Sequence, residues 1–169
     1  MRYPLEDLLE IRRVRQDRAQ NEVVRKRHET DRANRKVEDR KREAADYRRW
    51  RLRKEDELYE EIRGKIVPLG ELDDLKETVS GLRRREAALE KAVEEALEEL
   101  EAAREELEKA RERYREAVRE ARKIDEHKAS WMEEALKERR EAQEKEMEDF
   151  QLRSRDSEDD EPDDWLDGH

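Results

Sequence analysis

A seven-residue repeat of apolar side chains constrains this chain more than any other feature. Steps of alternately three and four residues from position 72 to position 135 reach nineteen positions, of which only Glu86 and Lys128 are polar. We call these nineteen positions the long seam. A repeat sustained over this length predicts a helix that supercoils against a partner helix. The apolar members are Leu72, Leu75, Val79, Leu82, Leu89, Val93, Ala96, Leu100, Ala103, Leu107, Ala110, Tyr114, Ala117, Ala121, Ile124, Trp131 and Ala135.

A cluster of helix-breaking residues, Gly64, Pro68 and Gly70, interrupts the chain before the long seam begins. Glycine is entropically costly in a helix, and proline removes a backbone donor and clashes with the preceding turn. We therefore predict an all-α fold with helix 1 at about 4–65, a turn at 66–70 and helix 2 at about 71–153. The favoured architecture is a long two-helix antiparallel coiled-coil hairpin. Its alternative is a nearly continuous helix that is only kinked at Pro68.

The composition agrees with long helices rather than with a globular core. Charged residues make up 54% of the chain and hydrophobic residues 33%, with Glu, Lys and Arg interleaved with Ala and Leu. Residues 1–65 hold 21 Lys and Arg against 16 Asp and Glu, whereas residues 66–153 hold 19 against 27. A basic arm beside an acidic arm suits antiparallel pairing, although each exposed ion pair contributes only about 0–1 kcal/mol.

The first arm has a weaker apolar pattern than the second. Pro4 suits the start of a helix, and a dense apolar patch of Leu5, Leu8, Leu9 and Ile11 follows it. Beyond this patch, apolar residues continue along one face of the predicted helix, but polar residues interrupt that seam. Its apolar positions are Leu9, Ala19, Val23, Ala33, Val37, Ala44, Tyr47 and Leu58, and its interruptions are Gln16, Thr30, Arg40 and Arg51.

A turn centred near Pro68 fixes which residues face each other. It places Tyr3 and Leu5 beside Trp131 and Met132, and it places Leu8 and Leu9 beside His127 and Lys128. The helix assignments rest on the helix-breaking residues and the apolar repeats and not on this pairing. The pairing therefore independently favours the hairpin over the kinked helix. Met132 and Leu136 point away from the long seam, which makes them candidates for an external contact. Beyond Leu136 the second helix should overhang without a partner in its own chain.

The last sixteen residues, 154–169, differ in composition from both arms. They contain eight acidic residues and one basic residue, and Pro162 interrupts them. We predict a disordered acidic tail. Trp165 and Leu166 form either a short docking motif or a chance apolar pair in a solvated tail.

The sequence contains no pattern typical of catalysis or of metal binding. His28, His127 and His169 are too scattered for a zinc site, and cysteine is absent. There is no glycine-rich phosphate loop and no nucleophile motif, and carboxylates on solvated helices do not acquire the shifted pKa values of acid–base catalysts. We therefore expect no enzyme activity, no cofactor and no metal.

Nucleic acid and membranes are also disfavoured as partners. Each basic cluster, such as the one at residues 83–85, has acidic neighbours, and the chain carries a net charge of −10. No apolar run approaches the roughly 20 residues that span a bilayer, and no signal peptide is visible. The absence of cysteine fits the cytoplasm. We expect a cytoplasmic protein that is not inserted in a membrane.

Two stretches resemble a known family. Arg2-Tyr3-Pro4-Leu5 and the His127-Lys128-x-x-Trp131-Met132 stretch look like the YscO family of type III secretion proteins, in particular its chlamydial CdsO-like branch, which is related to the flagellar stalk protein FliJ. The resemblance covers residues 2–150, most of which is generic charged coiled coil. It implies a coiled-coil hairpin that acts as the stalk of the export ATPase.

The resemblance also implies a set of partners at the cytoplasmic face of the secretion apparatus. These are the hexameric export ATPase, the export gate protein, export chaperones and the needle-length regulator. The end of the hairpin near both arm termini would enter the ATPase, and the tip would approach the gate. Candidate partner-binding residues are Tyr3, Leu5, Leu8, Leu9, His127, Lys128, Trp131, Met132 and Leu136. The tip residues are Gly64, Ile66, Val67, Pro68, Leu69 and Gly70.

A different class of function stays open at this point. A plain structural coiled coil would dimerise through the long seam and tether other proteins. A hairpin covers that seam within one chain and is expected to be monomeric, whereas the scaffold is expected to be an obligate dimer.

Overall fold

The chain folds as two long α-helices joined by a short turn. The computed structural model describes residues 2–158, with side chains as far as residue 155. Helix α1 spans Glu6–Ile62 and helix α2 spans Leu69–Glu158. The described residues include no strand. The predicted all-α hairpin is confirmed, and the kinked continuous helix is wrong.

Helix α1 begins slightly later than expected. Pro4 and Leu5 form a turn in which the Glu6 amide donates to the Tyr3 carbonyl at 3.2 Å. The Leu9 amide then donates to the Leu5 carbonyl at 3.0 Å, which starts the helical ladder. Pro4 therefore lies before the helix, and its missing N–H leaves no unpaired donor.

The turn between the helices covers residues 63–68, so it begins and ends earlier than the predicted turn at 66–70. Gly64 has a φ of +74°, a left-handed conformation that favours glycine at the end of a helix. Pro68 precedes α2, and its carbonyl accepts the amides of Glu71 at 3.1 Å and Leu72 at 3.3 Å. These bonds allow α2 to start at Leu69, so Gly70, which the sequence assigned to the turn, lies in the first turn of α2.

Helix α2 also continues beyond the predicted boundary. It runs through Ser154–Glu158, which the sequence assigned to the tail. The remainder of that predicted tail, with the pair Trp165 and Leu166, lies outside the described residues.

The long seam is covered by α1. Two compact units can be distinguished: a terminal unit of residues 1–14 and 118–169, and a central unit of residues 15–117. All nineteen long-seam residues are buried or half-buried in their own unit. The four polar interruptions of the first arm are half-buried as well. From residue 136 to residue 155 every side chain is exposed, as expected for an overhang.

The core of the central unit is thin and contains small side chains. Val37 of α1 packs against Ala96 and Leu100 of α2, with Ala33 beside them. Ala96 and Ala110 are each 1% exposed. Alanine at such positions lets the facing backbone approach closely, so two helices can exclude water without large apolar side chains.

Polar residues that interrupt the two seams meet each other in the central unit. Arg51 of α1 donates to Glu86 of α2 and, at 2.7 Å, to Glu55. Arg83 donates to both carboxylate oxygens of Glu55, at 3.1 and 3.2 Å, and Arg48 lies 3.8 Å from Glu86. Glu55 is only 7% exposed. We call these five side chains the ionic layer.

The ionic layer changes the pKa of Glu55, Arg51 and Arg83. Hydrogen bonds from Arg83 and then Arg51 lower the pKa of Glu55 below the ordinary 4.5, although burial alone would raise it. Hydrogen bonds to Glu55 and then Glu86 raise the pKa of Arg51. The charged forms are therefore stabilised in the fold. Because the folded state lowers the pKa of Glu55, this stabilisation is present above pH 4.5 and is lost as the pH falls through the lower folded value.

Replacement of Glu55 by Gln should destabilise the protein at neutral pH. Loss of the buried carboxylate weakens the three charged hydrogen bonds from Arg51 and Arg83, so we expect the free energy of unfolding to fall by about 1–3 kcal/mol. Urea denaturation followed by circular dichroism measures this, and urea adds no salt to screen the charges. The difference from wild type should shrink as the pH falls below 4.5 and through the lower pKa of Glu55 in the folded state. A matched control is Glu57→Gln, because Glu57 only pairs with Lys54 at the surface. Equal losses in both variants would contradict a special role for Glu55.

Replacement of Gly81 by Ala should stabilise α2. Gly81 lies inside the helix, and a Cβ built on it has no atom within 4 Å. We expect a gain of up to about 1 kcal/mol, seen as a higher Tm, because alanine restricts the unfolded chain and favours helix. The opposite sign is expected for Gly64→Ala, since the φ of +74° is strained for alanine whatever the space. A loss of stability with Gly81→Ala would show that the helix needs a glycine there.

Candidate functional site

Tyr3 is the centre of an aromatic cluster in the terminal unit. Tyr3 is 4% exposed and Leu9 is fully buried. The Tyr3 ring lies 5.5 Å from the Trp131 ring, at an angle of 59°, and 5.8 Å from the His127 ring. Tilted pairs at these separations are favourable beyond their buried area. The predicted meeting of Tyr3 with Trp131 is therefore present in the structure.

A hydrogen bond and an ion pair also hold this aromatic cluster together. The Tyr3 hydroxyl and His127 Nδ1 form a hydrogen bond of 2.6 Å. Lys128 Nζ pairs with Glu6 at 2.7 Å and lies 5.9 Å from the centre of the Tyr3 ring. Lys128, one of the two polar members of the long seam, is thus paired rather than left facing an apolar surface. We call Tyr3, Glu6, Leu9, His127, Lys128 and Trp131 the terminal clamp.

Ion pairs continue along both helices next to the terminal clamp. Arg13 donates to Asp125 at 2.9 Å, and Arg12 lies 3.5 Å from Glu120. A hydrogen bond from Lys123, with a further contribution from Arg12, lowers the pKa of Glu120. Arg12 Nε is buried without a hydrogen-bond partner in the part of the chain that the structure describes. These contacts hold the first two turns of α1 against α2.

Apolar side chains next to the terminal clamp remain accessible. Met132 and Leu136 are 50% and 52% exposed, and Leu5 is 38% exposed. Leu8 is half-buried. Val14, which the sequence analysis did not single out, is 48% exposed and lies three residues after the similarly exposed Ile11. That spacing is the signal that identifies it. The predicted site residues therefore divide into a framework, in which Tyr3 and Leu9 are buried and His127 is exposed, and an apolar set whose members other than Leu8 are exposed.

The turn forms a second exposed apolar set, in the central unit. Ile66 is fully exposed and Leu69 is 73% exposed, whereas Val67 is half-buried. Gly64 and Pro68 set the backbone on either side of Ile66, and both are exposed. Helix-breaking residues identified this segment in the sequence. In the structure, the side chains of Ile66 and Leu69 face solvent.

An aromatic pair on α1 was not identified from the sequence. The Trp50 ring lies 5.4 Å from the Tyr47 ring, and Trp50 is 43% exposed. Tyr47 was assigned to the first-arm seam, and its hydroxyl donates to the Leu82 carbonyl at 3.2 Å. Residues three positions apart lie next to each other on a helix. An aromatic residue three positions after an aromatic seam residue is therefore the sequence signal for this pair.

The described residues contain neither a candidate metal site nor a candidate membrane-spanning helix. No group of three or more His, Asp and Glu residues among them could hold a metal ion. Neither described helix contains a stretch apolar and long enough to span a bilayer.

Replacement of Tyr3 by Phe should weaken the terminal clamp. The ring contacts remain while the bond to His127 is lost, so we expect a loss of about 1 kcal/mol in the free energy of unfolding. Tyr3→Ala should cost about 3–5 kcal/mol, because it also removes a buried ring. Thermal and urea unfolding measure both. Tyr59→Phe is the matched control, since Tyr59 is 43% exposed. A Tyr3→Phe variant as stable as this control would mean that the hydroxyl bond contributes nothing.

Comparisons with known proteins agree with this architecture. The structure of the YscO homologue CT670 from Chlamydia trachomatis matches with a TM-score of 0.79 and 28% identity, covering 95% of this chain and 99% of that one. The crystal structure of type III secretion protein YscO from Vibrio parahaemolyticus matches with a TM-score of 0.79 and 29% identity, covering 86% of this chain and 92% of that one. No match was found among curated proteins. The family model "Type III secretion protein YscO" matches residues 5–152, and the chain therefore belongs to the YscO family of type III secretion proteins.

Proposed function

We propose that the protein binds the hexameric export ATPase of a type III secretion system through the surface around the terminal clamp. The observation that carries this proposal is the pairing of a fixed framework with accessible apolar side chains. Trp131 is held by Tyr3, while its neighbour Met132 and, one turn later, Leu136 are half exposed. A preordered apolar surface loses little conformational freedom on binding.

The proposal assigns separate roles to the framework and to the surface. Tyr3, Leu9, His127, Lys128 and Trp131 hold the start of α1 on α2. Leu5, Leu8, Met132 and Leu136 contact the ATPase. Helices α1 and α2 are each uninterrupted from residues of the terminal unit to residues of the central unit. A movement imposed on either helix by nucleotide hydrolysis is therefore transmitted without a break in the helical backbone.

The turn segment is proposed to contact the export gate protein. Ile66 and Leu69 are its most exposed apolar side chains, and Val67, Gly64, Pro68 and Gly70 complete the segment. Apolar side chains on a turn with a defined backbone can insert into a groove of a partner. Export chaperones and the needle-length regulator are further proposed partners.

The protein is proposed to act by binding rather than by catalysis, at the cytoplasmic face of the apparatus. A generic scaffold that dimerises through the long seam is less well supported, because α1 of the same chain covers that seam in both units. The seam residues are then not available for a second chain without unfolding of the hairpin.

Removal of Met132 and Leu136 side chains should impair ATPase binding without unfolding the protein. The double variant Met132→Ala and Leu136→Ala deletes half-exposed apolar groups, so we expect at least a tenfold weaker effect on ATP hydrolysis and on hexamer formation by the cognate ATPase. The measurement adds wild-type or variant protein to the purified ATPase. Circular dichroism should show unchanged helix content.

Two controls distinguish the surface from the rest of the chain. Leu97→Ala removes a similarly exposed leucine, at 43%, from the central unit and should act on the ATPase as wild type does. Replacement of residues 64–69 by a Gly/Ser turn should also leave the ATPase effect intact but abolish secretion in cells. No effect of the wild-type protein on the ATPase, or an unchanged effect of the double variant, would overturn the proposal.

A further inference from the structure

The described end of α2 has an apolar stripe that α1 does not cover. Steps of four and three residues from position 136 give Leu136, Arg140, Gln143, Met147 and Phe150, which we call the overhang stripe. Its apolar members are 52%, 64% and 75% exposed in this order. Phe150 is the only phenylalanine of the chain. A bulky aromatic side chain this exposed on an ordered helix indicates a surface that another molecule covers.

The overhang stripe is distinct from the long seam. Continued past Ala135, the long seam would reach Glu138, Ala142, Lys145 and Asp149, which are mostly charged. The overhang stripe also alternates steps of three and four residues, but its positions lie one or two residues after those of the continued long seam, which is on average about 150° around the helix. The apolar face of α2 therefore changes where the cover of α1 ends. This spacing is the one that coiled-coil partners recognise.

The charges beside the overhang stripe are arranged in two opposite halves. Lys137 and Arg139 flank its first half, and Glu144 and Glu146 flank its second half. Among the described side chains, the charged residues from 133 to 153 form no ion pair with one another or with the rest of the chain. Earlier in α2, ion pairs at three-residue spacing are frequent. The overhang thus presents unpaired charges of both signs along one apolar face.

We propose that the overhang stripe pairs with the same stripe of a second copy of this chain in antiparallel orientation. Met147 of one copy then lies against Leu136 of the other, with Phe150 one turn further along. Arg140 lies against Gln143 at the centre. Both contacts occur twice because the two copies are related by a two-fold axis.

This register also places opposite charges together. With Met147 opposite Leu136, Lys137 of one copy faces Glu144 of the other, and Arg139 faces Glu146. Both pairs occur twice, so one chain carries both halves of a complementary charge pattern. A parallel pair in register would instead place Arg140 against Arg140 in the apolar face. The complementarity of the segment with itself is the reason to choose a second copy over an unrelated protein.

A charge-swap experiment tests the proposal on the full chain. The variant Lys137→Glu with Arg139→Glu makes both halves acidic, and the variant Glu144→Lys with Glu146→Lys makes both halves basic. Sedimentation equilibrium of wild type should show a weak, concentration-dependent dimer. Each variant alone should dimerise at least tenfold more weakly, and an equal mixture of the two should recover wild-type association. Neither variant changes the long seam or the terminal clamp.

Cysteine cross-linking tests the orientation, because the natural chain contains no cysteine. In the proposed register Ser130 of one copy faces Gln151 of the other, and both positions are exposed. Ser130→Cys and Gln151→Cys chains should form a disulfide efficiently in a mixture and poorly when each is alone. Strong cross-linking of Gln151→Cys with itself would indicate a parallel pair and overturn the proposal.

Other outcomes would also overturn it. A wild-type chain that stays monomeric at millimolar concentration has no self-pairing surface. Charge-swap variants that associate as strongly as wild type would place the contact elsewhere. If Phe150→Ala abolishes binding of the export ATPase while wild type remains monomeric, the occupant of the stripe is that protein and not a second copy.

Discussion

Burial of the long seam by α1 is the interaction on which the rest of the structure depends. The surface of this chain is dominated by charged side chains, whose exposed ion pairs contribute about 0–1 kcal/mol each. Removal of leucine, valine and alanine from water along α2 supplies the larger stabilisation. The nearly fully buried Ala96 and Ala110 show how this works with few bulky groups, because close contact between the helices compensates for a thin core.

Polar residues within the seams determine how the helices are aligned. An apolar repeat alone would allow α1 to shift by seven residues along α2 at modest cost. Such a shift would place Ala44 or Leu58 opposite Glu86 in the position of Arg51, and a partly buried charge without a partner is expensive. In the observed register Glu86 meets Arg51, and Lys128 meets Glu6. Within the terminal unit, the register that pairs Lys128 with Glu6 also places Tyr3 beside Trp131.

The features that depend on the seven-residue repeat and on the position of the turn were predictable from the sequence. Every member of the long seam is buried or half-buried, and the pairing of Tyr3 with Trp131 follows from the position of the turn. Side-chain partners were not predictable. Glu55 lies outside the predicted first-arm seam, yet it is buried and accepts hydrogen bonds from both Arg51 and Arg83. In a chain with so many charges each carboxylate has several possible partners, and rotamers and local geometry select among them.

The boundaries of the helices were predicted less well than their existence, for a local reason. Breaking residues show that a helix ends, but backbone hydrogen bonds determine where. The carbonyl of Pro68 accepts two amides, so α2 takes in Leu69 and Gly70. The hydrogen bond between Tyr3 and His127 also escaped prediction, because periodicity identifies a shared face but not the atoms that meet there.

The change of apolar face along α2 connects the fold with the two proposed contacts. Up to Ala135 the apolar face is covered within the chain, and beyond it a different apolar face is exposed. Leu136 lies at the change and belongs both to the proposed ATPase surface and to the overhang stripe. One side chain cannot be covered by two partners at once, so self-pairing and ATPase binding exclude each other on this scheme. Free protein would then pair with itself when it is abundant, and the ATPase would have to compete for the monomer. Self-association of this kind protects exposed Met147 and Phe150 from non-specific contacts until an ATPase site is available.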